Sequence, residues 1–249
     1  MKEKLQEYDR IAEAYRDSKG LSFRTYIEEF TLFQLLGNIK SLDVLDLACG
    51  EGHYSRKIKL AGARSVLGVD ISSEMIALAK DQELLHPIGC EYLCANAAKL
   101  HTTFKVDIIT GMYLLNYAKS AQELFQFCKS AYNALKPGGI FVGFNDNINE
   151  NPNSAPSFLK YGFEKTTPSL QKEGDVVRYT ITNEDGTTFS IDNFFLRPET
   201  YQRAFKKAGF IGFSWHGPYL DPKQKENSFW DDFMDYKPII GFRAVKPNR

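Results

Sequence analysis

The sequence predicts an α/β protein built on a doubly wound, mostly parallel sheet of seven strands. Five short apolar runs alternate with amphipathic segments between residues 44 and 144. This alternation is typical of β-α-β units, which place parallel strands in one sheet with helices on both faces. Two further apolar runs near the carboxyl end, at 211–215 and 239–245, complete the seven strands.

Apolar runs, capping residues and turn signals set the boundaries of the elements. Ser72 or Ser73 can cap a helix that runs to about residue 85, and Arg197-Pro198-Glu199 begins another helix with proline at a favourable first position. The predicted strands before residue 150 are 44–47, 66–69, 90–95, 106–110 and 140–144, and the other predicted helices are 3–18, 22–38, 53–62 and 120–135.

Turn signals surround and follow the fifth strand. Residues 136–139, Lys-Pro-Gly-Gly, predict a turn, and residues 146–170, rich in Asn, Pro and Ser, predict a loop. The alternating segments 175–182 and 187–195 flank Asn183-Glu184-Asp185-Gly186, which indicates a β-hairpin. We therefore expect a small β insert between the fifth strand and the last part of the sheet.

Composition excludes several classes of protein. The 31 basic and 31 acidic residues balance, which disfavours a nucleic-acid partner. No apolar run reaches the roughly eighteen residues of a membrane span, and the first residues show no secretory signal. The four cysteines form no C-x-x-C pair and no metal-ligand spacing, so we expect a cytoplasmic protein with reduced thiols and no metal site.

Residues 44–53 carry the strongest indication of a ligand site. A strand leads into Gly50-x-Gly52 and then into a helix, and glycines let the backbone bend sharply and approach a ligand closely. Asp70 ends the next strand, twenty residues after Gly50. In a parallel sheet its carboxylate lies beside the first turn, where it can accept hydrogen bonds from both hydroxyls of a ribose. This pattern predicts an adenosine site.

Two residues of this region indicate which adenosine-containing ligand binds. The nicotinamide fingerprint G-x-G-x-x-G ends in glycine, where this chain has Ser55. Glu51 would repel a pyrophosphate, whereas S-adenosylmethionine has no phosphate and carries a sulfonium cation. The residues favour S-adenosylmethionine, and a nicotinamide-dependent oxidoreductase is the alternative enzyme.

Several segments resemble the class I S-adenosylmethionine-dependent methyltransferases. Residues 44–52 resemble motif I, 68–72 the acidic motif after it, and 135–139 the turn before strand five. Residues 96–98 resemble the segment that meets the adenine edge, although the family often has Asp where this chain has Asn96. The resemblance implies a Rossmann-like methyltransferase fold with cofactor contacts from Ala48, Gly50, Gly52, Asp70, Ile71, Met75, Asn96, Ala97 and Met112.

The beginning of the chain is similar to the helix that closes over the cofactor in many small-molecule members of this family. The similarity lies in Tyr8-Asp9-x-Ile11-Ala12-x-x-Tyr15. It implies that Tyr15 faces the methionine end of the cofactor, where an aromatic ring suits a sulfonium. Arg24 is expected to pair with the cofactor carboxylate through a bidentate fork.

The predicted organisation is a single methyltransferase domain over residues 1–249, as a monomer or a homodimer. Within the insert, Phe189, Phe194 and Phe195 either form a roof over the acceptor or only bury the insert against the sheet. The predicted divisions are a helical lid at 1–40, a cofactor-binding core at 41–145, a substrate-side insert at 146–196 and the C-terminal part of the core at 197–249.

The segment after the fourth strand bears on the acceptor, because that strand ends beside the methyl group in this fold. It lacks the Asn/Asp-Pro-Pro-aromatic motif of DNA amino-methylation and the Pro-Cys nucleophile of cytosine-carbon methylation. Its residues 112–117 suit a small, flat or heterocyclic molecule, and the chain is similar to methyltransferases that act on toxoflavin-like heterocycles.

Candidate catalytic residues follow from the same location. Tyr113, Tyr117 and Asp146 are the candidates to take a proton from the acceptor. None of them is marked as a base by its sequence context, and a neutral ring nitrogen needs no base, so transfer to nitrogen is slightly favoured over transfer to oxygen. A protein of the same fold that binds the cofactor as a sensor, without turnover, is the non-enzymatic alternative.

Overall fold

A seven-stranded sheet forms the centre of the protein in the computed structural model, which describes residues 11–248. The strands in this part of the chain are β1 Asp43–Leu47, β2 Ser65–Asp70, β3 Cys90–Cys94, β4 Val106–Met112, β5 Leu135–Asp146, β6 Phe163–Thr166, β7 Val176–Thr182, β8 Thr188–Phe194, β9 Ile211–His216 and β10 Ile239–Val245. The sheet order is β3-β2-β1-β4-β5-β10-β9, and β10 alone is antiparallel to its two neighbours. The predicted doubly wound, mostly parallel seven-stranded sheet is confirmed.

The order of the strands reverses at β1. Val44 of β1 is paired with Val66 of β2 on one side and with Ile108 of β4 on the other. The connections that leave β1 and β4 therefore diverge at the carboxyl edge of the sheet, and such a switch point opens a crevice for a ligand.

Successive residues of the strands enter two separate cores, because side chains alternate between the faces of a strand. Val44 and Ile108 are buried in one core, and Leu45 and Ile109 are buried in the other. Both faces of the central strands are thus covered, which explains why these strands are continuous apolar runs rather than alternating ones.

The helices begin where capping residues predict. Ser72, not Ser73, caps the helix after β2, since its hydroxyl accepts a hydrogen bond from the Met75 N–H at 3.2 Å. Pro198 is the first residue of its helix. An N–H at that position would make no hydrogen bond within the helix, so proline, which lacks one, is tolerated there. Besides the helical residues 11–17, the α-helices within residues 11–248 are α1 Phe30–Leu36, α2 His53–Leu60, α3 Ser73–Leu85, α4 Ala121–Ala134, α5 Pro198–Ala208 and α6 Asp231–Tyr236.

The chain before β1 is largely helical. Residues 11–17 are helical, so the later part of the predicted helix 3–18 is present, whereas its beginning lies outside the described residues. A π-helical turn, Arg24–Glu29, leads directly into α1. The predicted helix 22–38 is therefore confirmed, although it ends at Leu36 and its first part is wound more loosely than an α-helix.

Two elements were not predicted, and one was predicted differently. The loop prediction for 146–170 was wrong in part because β6 lies within it, and α6 had no predicted counterpart. Residues 136–139 belong to β5, where the register against β4 shifts between Val106 and Ile108, so the predicted turn is an irregularity inside a longer strand.

The insert is a three-stranded antiparallel sheet, β6-β7-β8, whose predicted hairpin closes with Gly186 N–H bonded to the Asn183 carbonyl at 2.9 Å. Lys165 of β6 forms an ion pair of 2.6 Å with Asp146, the last residue of β5. Tyr179 of β7 donates a hydrogen bond of 2.5 Å to the same carboxylate. Asp146 therefore ties the insert to the main sheet.

No helix among residues 11–248 is long and apolar enough to cross a membrane. In the same residues, no group of three or more His, Cys, Asp or Glu side chains is arranged to hold a metal ion.

Candidate functional site

The turn between β1 and α2 has an unusual backbone. Ala48, Gly50 and Gly52 have φ values of 58°, 56° and 84°, a region that only glycine adopts without strain. At Gly52 a second constraint applies, because an added Cβ would lie 2.4 Å from the hydroxyl of Tyr92. The sequence Ala-Cys-Gly-Glu-Gly thus folds the chain back on itself directly above the end of β1.

Asp70, at the end of β2, is held by this turn. Its carboxylate accepts hydrogen bonds from the Gly50 N–H at 2.8 Å and from the Ser72 N–H at 2.9 Å, one on each oxygen. Burial raises the pKa of Asp70, and the two backbone N–H groups oppose that rise. Each oxygen keeps further acceptor capacity on the side away from the backbone.

A cavity of about 380 Å³ lies at the carboxyl ends of β1 to β4, and we call it the first cavity. It sits at the switch point, where the sheet topology predicts a ligand. Nine of the predicted cofactor residues line it, namely Tyr15, Ala48, Gly50, Asp70, Ile71, Met75, Asn96, Ala97 and Met112.

The first cavity also has a wall that the sequence analysis missed. The face of α4 that carries Glu123, Gln126 and Phe127 lines it. These residues are three and four positions apart, so they share one side of the helix. That spacing, in the helix after the acceptor segment, is the signal that could have identified them. The other lining residues not predicted are Val69, Ala95, Ala98, Lys99, Leu114 and Lys119.

Asn96 performs a structural task within this cavity. Its side-chain oxygen accepts a hydrogen bond from the Ala98 N–H at 2.9 Å and so caps the short 3-10 turn Ala97–Lys99. An aspartate would make the same bond, which explains how either residue type can serve at this position.

Tyr15 lies over the glycine turn, 3.6 Å from where a Gly50 Cβ would be. The ammonium of Lys19 is 4.3 Å from the centre of the Tyr15 ring and donates a hydrogen bond of 3.2 Å to its hydroxyl. The Lys19 ammonium therefore lies over the Tyr15 ring, which the family resemblance places beside the sulfonium of the cofactor.

A smaller cavity of about 50 Å³ adjoins the first, and we call it the second cavity. Tyr15 and Tyr117 line both cavities, so these two side chains stand between them. The other residues around the second cavity are Phe23, Arg24, Glu28, Tyr113, Phe163, Tyr179, Ile181, Ile191, Asn193 and Ile239.

Glu28 is the centre of a buried polar network beside the second cavity. Its side chain is fully buried and accepts bonds of 2.8 and 3.1 Å from Arg24 and one of 2.5 Å from the Tyr54 hydroxyl. The hydroxyl of Tyr113 donates a further short hydrogen bond to it. The sequence analysis did not single out Glu28, because one acidic residue in a helical segment looks like part of a solvated face.

The structure places three predicted site residues elsewhere. Arg24 does not line the first cavity; its guanidinium is bound to Glu28 and to the Ser18 carbonyl. Asp146 lines neither cavity, because Lys165 and Tyr179 hold its carboxylate. Gly52 supports the turn from behind without lining either cavity.

The two tyrosines predicted to be catalytic lie near each other but in different positions. Tyr117 lines both cavities, whereas Tyr113 lines only the second. Tyr113 has a φ of 64°, an uncommon value for an aromatic residue, and its N–H is bonded to the Phe144 carbonyl at 2.9 Å.

The insert contributes different residues from those expected. Ile181, Ile191 and Asn193 line the second cavity, whereas Phe189, Phe194 and Phe195 line neither cavity. Phe189 packs against Tyr15 with ring centres 6.2 Å apart.

Two carboxylates of the glycine turn region are buried. Asp46 accepts bonds from the Ser55 hydroxyl at 2.6 Å and the Thr110 hydroxyl at 2.7 Å, so it joins α2 and β4 to β1. Glu51 is buried, and one of its oxygens accepts no hydrogen bond from residues 11–248. Burial raises the pKa of each, and the positive charge of Lys19 opposes the rise.

Part of the chain is similar to known methyltransferases. Residues 44–139 match a family described as "Methyltransferase domain". The mRNA cap guanine-N(7) methyltransferase of Caenorhabditis briggsae is 28% identical over 118 residues, which are 42% of this chain and 31% of that protein. The ubiquinone biosynthesis O-methyltransferase of Coxiella burnetii (strain RSA 493 / Nine Mile phase I) is 33% identical over 114 residues, or 45% of this chain and 46% of that protein.

A solved structure resembles the chain over nearly its whole length. The amino pentose methyltransferase CalS10 from Micromonospora echinaspora, solved with S-adenosylmethionine bound, has a TM-score of 0.62 and 17% identity, with 95% of this chain and 96% of that chain covered. The chain spans less than half the length of the two curated relatives, and the three proteins act on different acceptors. Their names agree on methyl transfer and differ in the acceptor.

We predict that Arg24→Met lowers the free energy of unfolding by about 3–5 kcal/mol, because it leaves the Glu28 charge buried without its cation. Urea denaturation followed by circular dichroism measures the change. Lys160→Met, at an exposed ion pair with Asp232, is the control and should change stability little. Unchanged stability in Arg24→Met, together with a large loss of affinity for S-adenosylhomocysteine, would instead favour the cofactor contact expected from the sequence.

Proposed function

Because the chain has the class I methyltransferase fold and residues 44–139 carry the methyltransferase domain, we propose that it transfers a methyl group from S-adenosylmethionine to a small molecule. One observation carries the proposal. The Asp70 carboxylate is fixed by the glycine turn at the wall of a 380 Å³ cavity, at the edge of the sheet where the strand order reverses.

The residues around the first cavity fit this cofactor. Asp70 offers both carboxylate oxygens to the ribose hydroxyls, which is the recognition expected of an adenosine. Met75, Ala97 and Leu114 supply apolar surface for the adenine ring. Met112, the last residue of β4, lines the first cavity, and Tyr117, in the turn that follows, lines both cavities, so these two side chains would adjoin the methyl group.

The charges nearby favour a cationic cofactor over a dinucleotide. Glu51 is buried in the glycine turn, one of its oxygens has no hydrogen-bond partner among residues 11–248, and a pyrophosphate beside it would add negative charge to negative charge. Ser55 stands where a dinucleotide fingerprint has its third glycine. Its hydroxyl donates a hydrogen bond to the Asp46 carboxylate, so its side chain has a structural role here.

The second cavity is our proposed acceptor site. It adjoins the first cavity across Tyr15 and Tyr117, so an acceptor there would approach the methyl group from the side of β4 and the insert. Its lining by aromatic and aliphatic side chains suits a small, flat molecule that is methylated at nitrogen or oxygen. Its volume of about 50 Å³ is below the roughly 150 Å³ that holds a benzene ring, so the side chains between the two cavities must move to admit such a molecule.

When bound, S-adenosylmethionine supplies a methyl group on a sulfonium sulfur, which leaves as the neutral thioether of S-adenosylhomocysteine. The chain contributes alignment and the exclusion of water. Tyr15, on the helical residues 11–17, covers the glycine turn, and the Asn183 amide of the insert donates a bond of 2.9 Å to the Ala14 carbonyl. The N-terminal segment and the insert thus close over both cavities together.

We predict that Asp70→Ala weakens binding of S-adenosylhomocysteine by about 2–4 kcal/mol, because two charge-assisted hydrogen bonds are lost. Isothermal titration calorimetry on the full chain measures it. Asp81→Ala, on the exposed side of α3, is the matched control and should bind normally. Equal affinity of Asp70→Ala and the unsubstituted protein would exclude a ribose contact at Asp70.

We also predict that Tyr15→Ala weakens binding of S-adenosylhomocysteine, since it removes the aromatic side chain that lines both cavities and lies over the glycine turn. The comparison variant is Arg16→Ala, whose side chain forms an exposed ion pair with Asp17. Isothermal titration calorimetry under one set of conditions compares the affinities of the two variants for S-adenosylhomocysteine. If both bind like the parent protein, the N-terminal segment does not act as a lid over the cofactor.

A further inference from the structure

The side chains of Tyr113 and Glu28 present a paired proton donor and acceptor to the second cavity. Both residues line that cavity, and the Tyr113 hydroxyl donates a short hydrogen bond to Glu28 Oε1. Burial first, and the neighbouring Glu28 charge second, raise the pKa of Tyr113 well above its ordinary value. The tyrosine therefore keeps its proton, and its oxygen retains lone pairs that can accept a hydrogen bond.

The cavity offers no unbalanced charge to a ligand. Its two charged side chains, Arg24 and Glu28, are paired with each other at 2.8 Å and are both almost completely buried. A charged ligand would have to give up its hydration without gaining a counterion, which is costly in a buried site. The lining therefore suits an uncharged ligand, and its aromatic and aliphatic side chains can pack against a flat ring of that ligand.

Asn193 supplies an independent sign of a ligand. Its side chain is 6% exposed and lines the second cavity. Its amide oxygen accepts no hydrogen bond from any of residues 11–248. Buried amide oxygens nearly always have a donor, so this oxygen calls for an N–H or O–H group from a molecule in the cavity.

The backbone at Tyr113 is consistent with a functional position. A φ of 64° and a ψ of 9° place an aromatic residue in the left-handed region, which costs free energy that the surrounding structure must offset. This conformation follows directly after β4, whose end lies at the first cavity, and it directs Tyr113 to the second.

We infer that the acceptor is an uncharged aromatic hydroxyl compound, and that Tyr113, backed by Glu28, takes the hydroxyl proton as the oxygen is methylated. Asn193 accepts a hydrogen bond from a second donor group on the acceptor. This inference rests on the proposed function. It also reverses the slight preference for nitrogen drawn from the sequence, because the carboxylate that makes oxygen transfer possible was not recognised there.

Methyl transfer is coupled to two proton transfers. The acceptor oxygen forms its bond to the methyl carbon while the carbon–sulfur bond breaks and its electron pair stays on sulfur. The hydroxyl proton moves to Tyr113 Oη as the tyrosine's own proton moves to Glu28 Oε1. Tyrosine is neutral before and after, and the carboxylate becomes a carboxylic acid. After the product has left, Glu28 returns its proton to Tyr113 as Tyr113 releases its own proton to water.

The test uses three matched pairs of acceptors with methyl-labelled S-adenosylmethionine and the full chain. The hydroxyl compounds are phenol, catechol and 2-naphthol, and the amines are aniline, 1,2-diaminobenzene and 2-naphthylamine. We expect label transfer to hydroxyl compounds, and a fall in kcat of about 10²-fold or more in Tyr113→Phe. Transfer to the amines alone, or a Tyr113→Phe variant with unchanged kcat, would overturn the inference.

Tyr201→Phe is the matched control. It removes a buried tyrosine hydroxyl that accepts a hydrogen bond of 3.0 Å from the Asn145 amide, and Tyr201 lines neither cavity, so its kcat should stay within a few-fold of the parent value. Equal losses of kcat in Tyr201→Phe and Tyr113→Phe would mean that the loss of a buried tyrosine hydroxyl lowers kcat through packing alone, which contradicts the inference.

A binding measurement completes the test. In the presence of S-adenosylhomocysteine, saturation-transfer NMR should show phenol binding more tightly than anisole, and Asn193→Leu should weaken catechol binding. If S-adenosylhomocysteine binds but none of the hydroxyl compounds binds or is methylated, the inference fails while the proposed function stands. If S-adenosylhomocysteine itself does not bind, the proposed function fails.

Discussion

The hydrogen bond from the Gly50 N–H to the Asp70 carboxylate fixes the geometry on which the site depends. It joins the turn after β1 to the end of β2 at 2.8 Å, across a register in which Leu47 is paired with Val69. The turn can offer that N–H only because Gly50 adopts a positive φ and Gly52 leaves room for Tyr92. A carboxylate oriented by backbone N–H groups does not depend on flexible side chains, so the ribose contact would be in place before a cofactor arrives.

A second constraint joins the two cavities. Arg24 and Glu28 lie in the π-helical turn Arg24–Glu29, and their buried pair connects the N-terminal segment to Tyr54 of α2 and to Tyr113 after β4. Breaking such a pair is costly, so the segment that carries Tyr15 is held in one position relative to the sheet. The second ion pair, Asp146 with Lys165, holds the insert on the opposite side. Arg24 and Glu28 line the second cavity themselves, and Tyr179, which is bonded to Asp146, lines it from the insert.

The sequence was sufficient for the sheet and for most of the first cavity, because both follow from local patterns. The runs at 44–47 and 106–110 are buried on both faces, and the predicted cap Ser72 accepts a bond from the first turn of its helix. Asp70 and Gly50 could be paired from the chain alone, since neighbouring parallel strands end at one edge.

The second cavity could not be predicted because its chemistry depends on pairings between distant parts of the chain. Glu28 contacts Tyr113 across 85 positions, and Lys165 neutralises Asp146 from a strand that had the composition of a loop. A carboxylate's partner decides whether it is a base, an anchor or a cofactor ligand. For that reason Asp146 was placed among the catalytic candidates, Arg24 among the cofactor residues and Glu28 in neither group.

A crystal structure of the full chain with S-adenosylhomocysteine tests the central claim most directly. We expect both ribose hydroxyls to lie within hydrogen-bond distance of the Asp70 carboxylate, and the sulfur to point past Met112 toward Tyr117 and the second cavity. A ligand bound outside the first cavity, or one whose sulfur points away from Tyr117 and Tyr113, would contradict it.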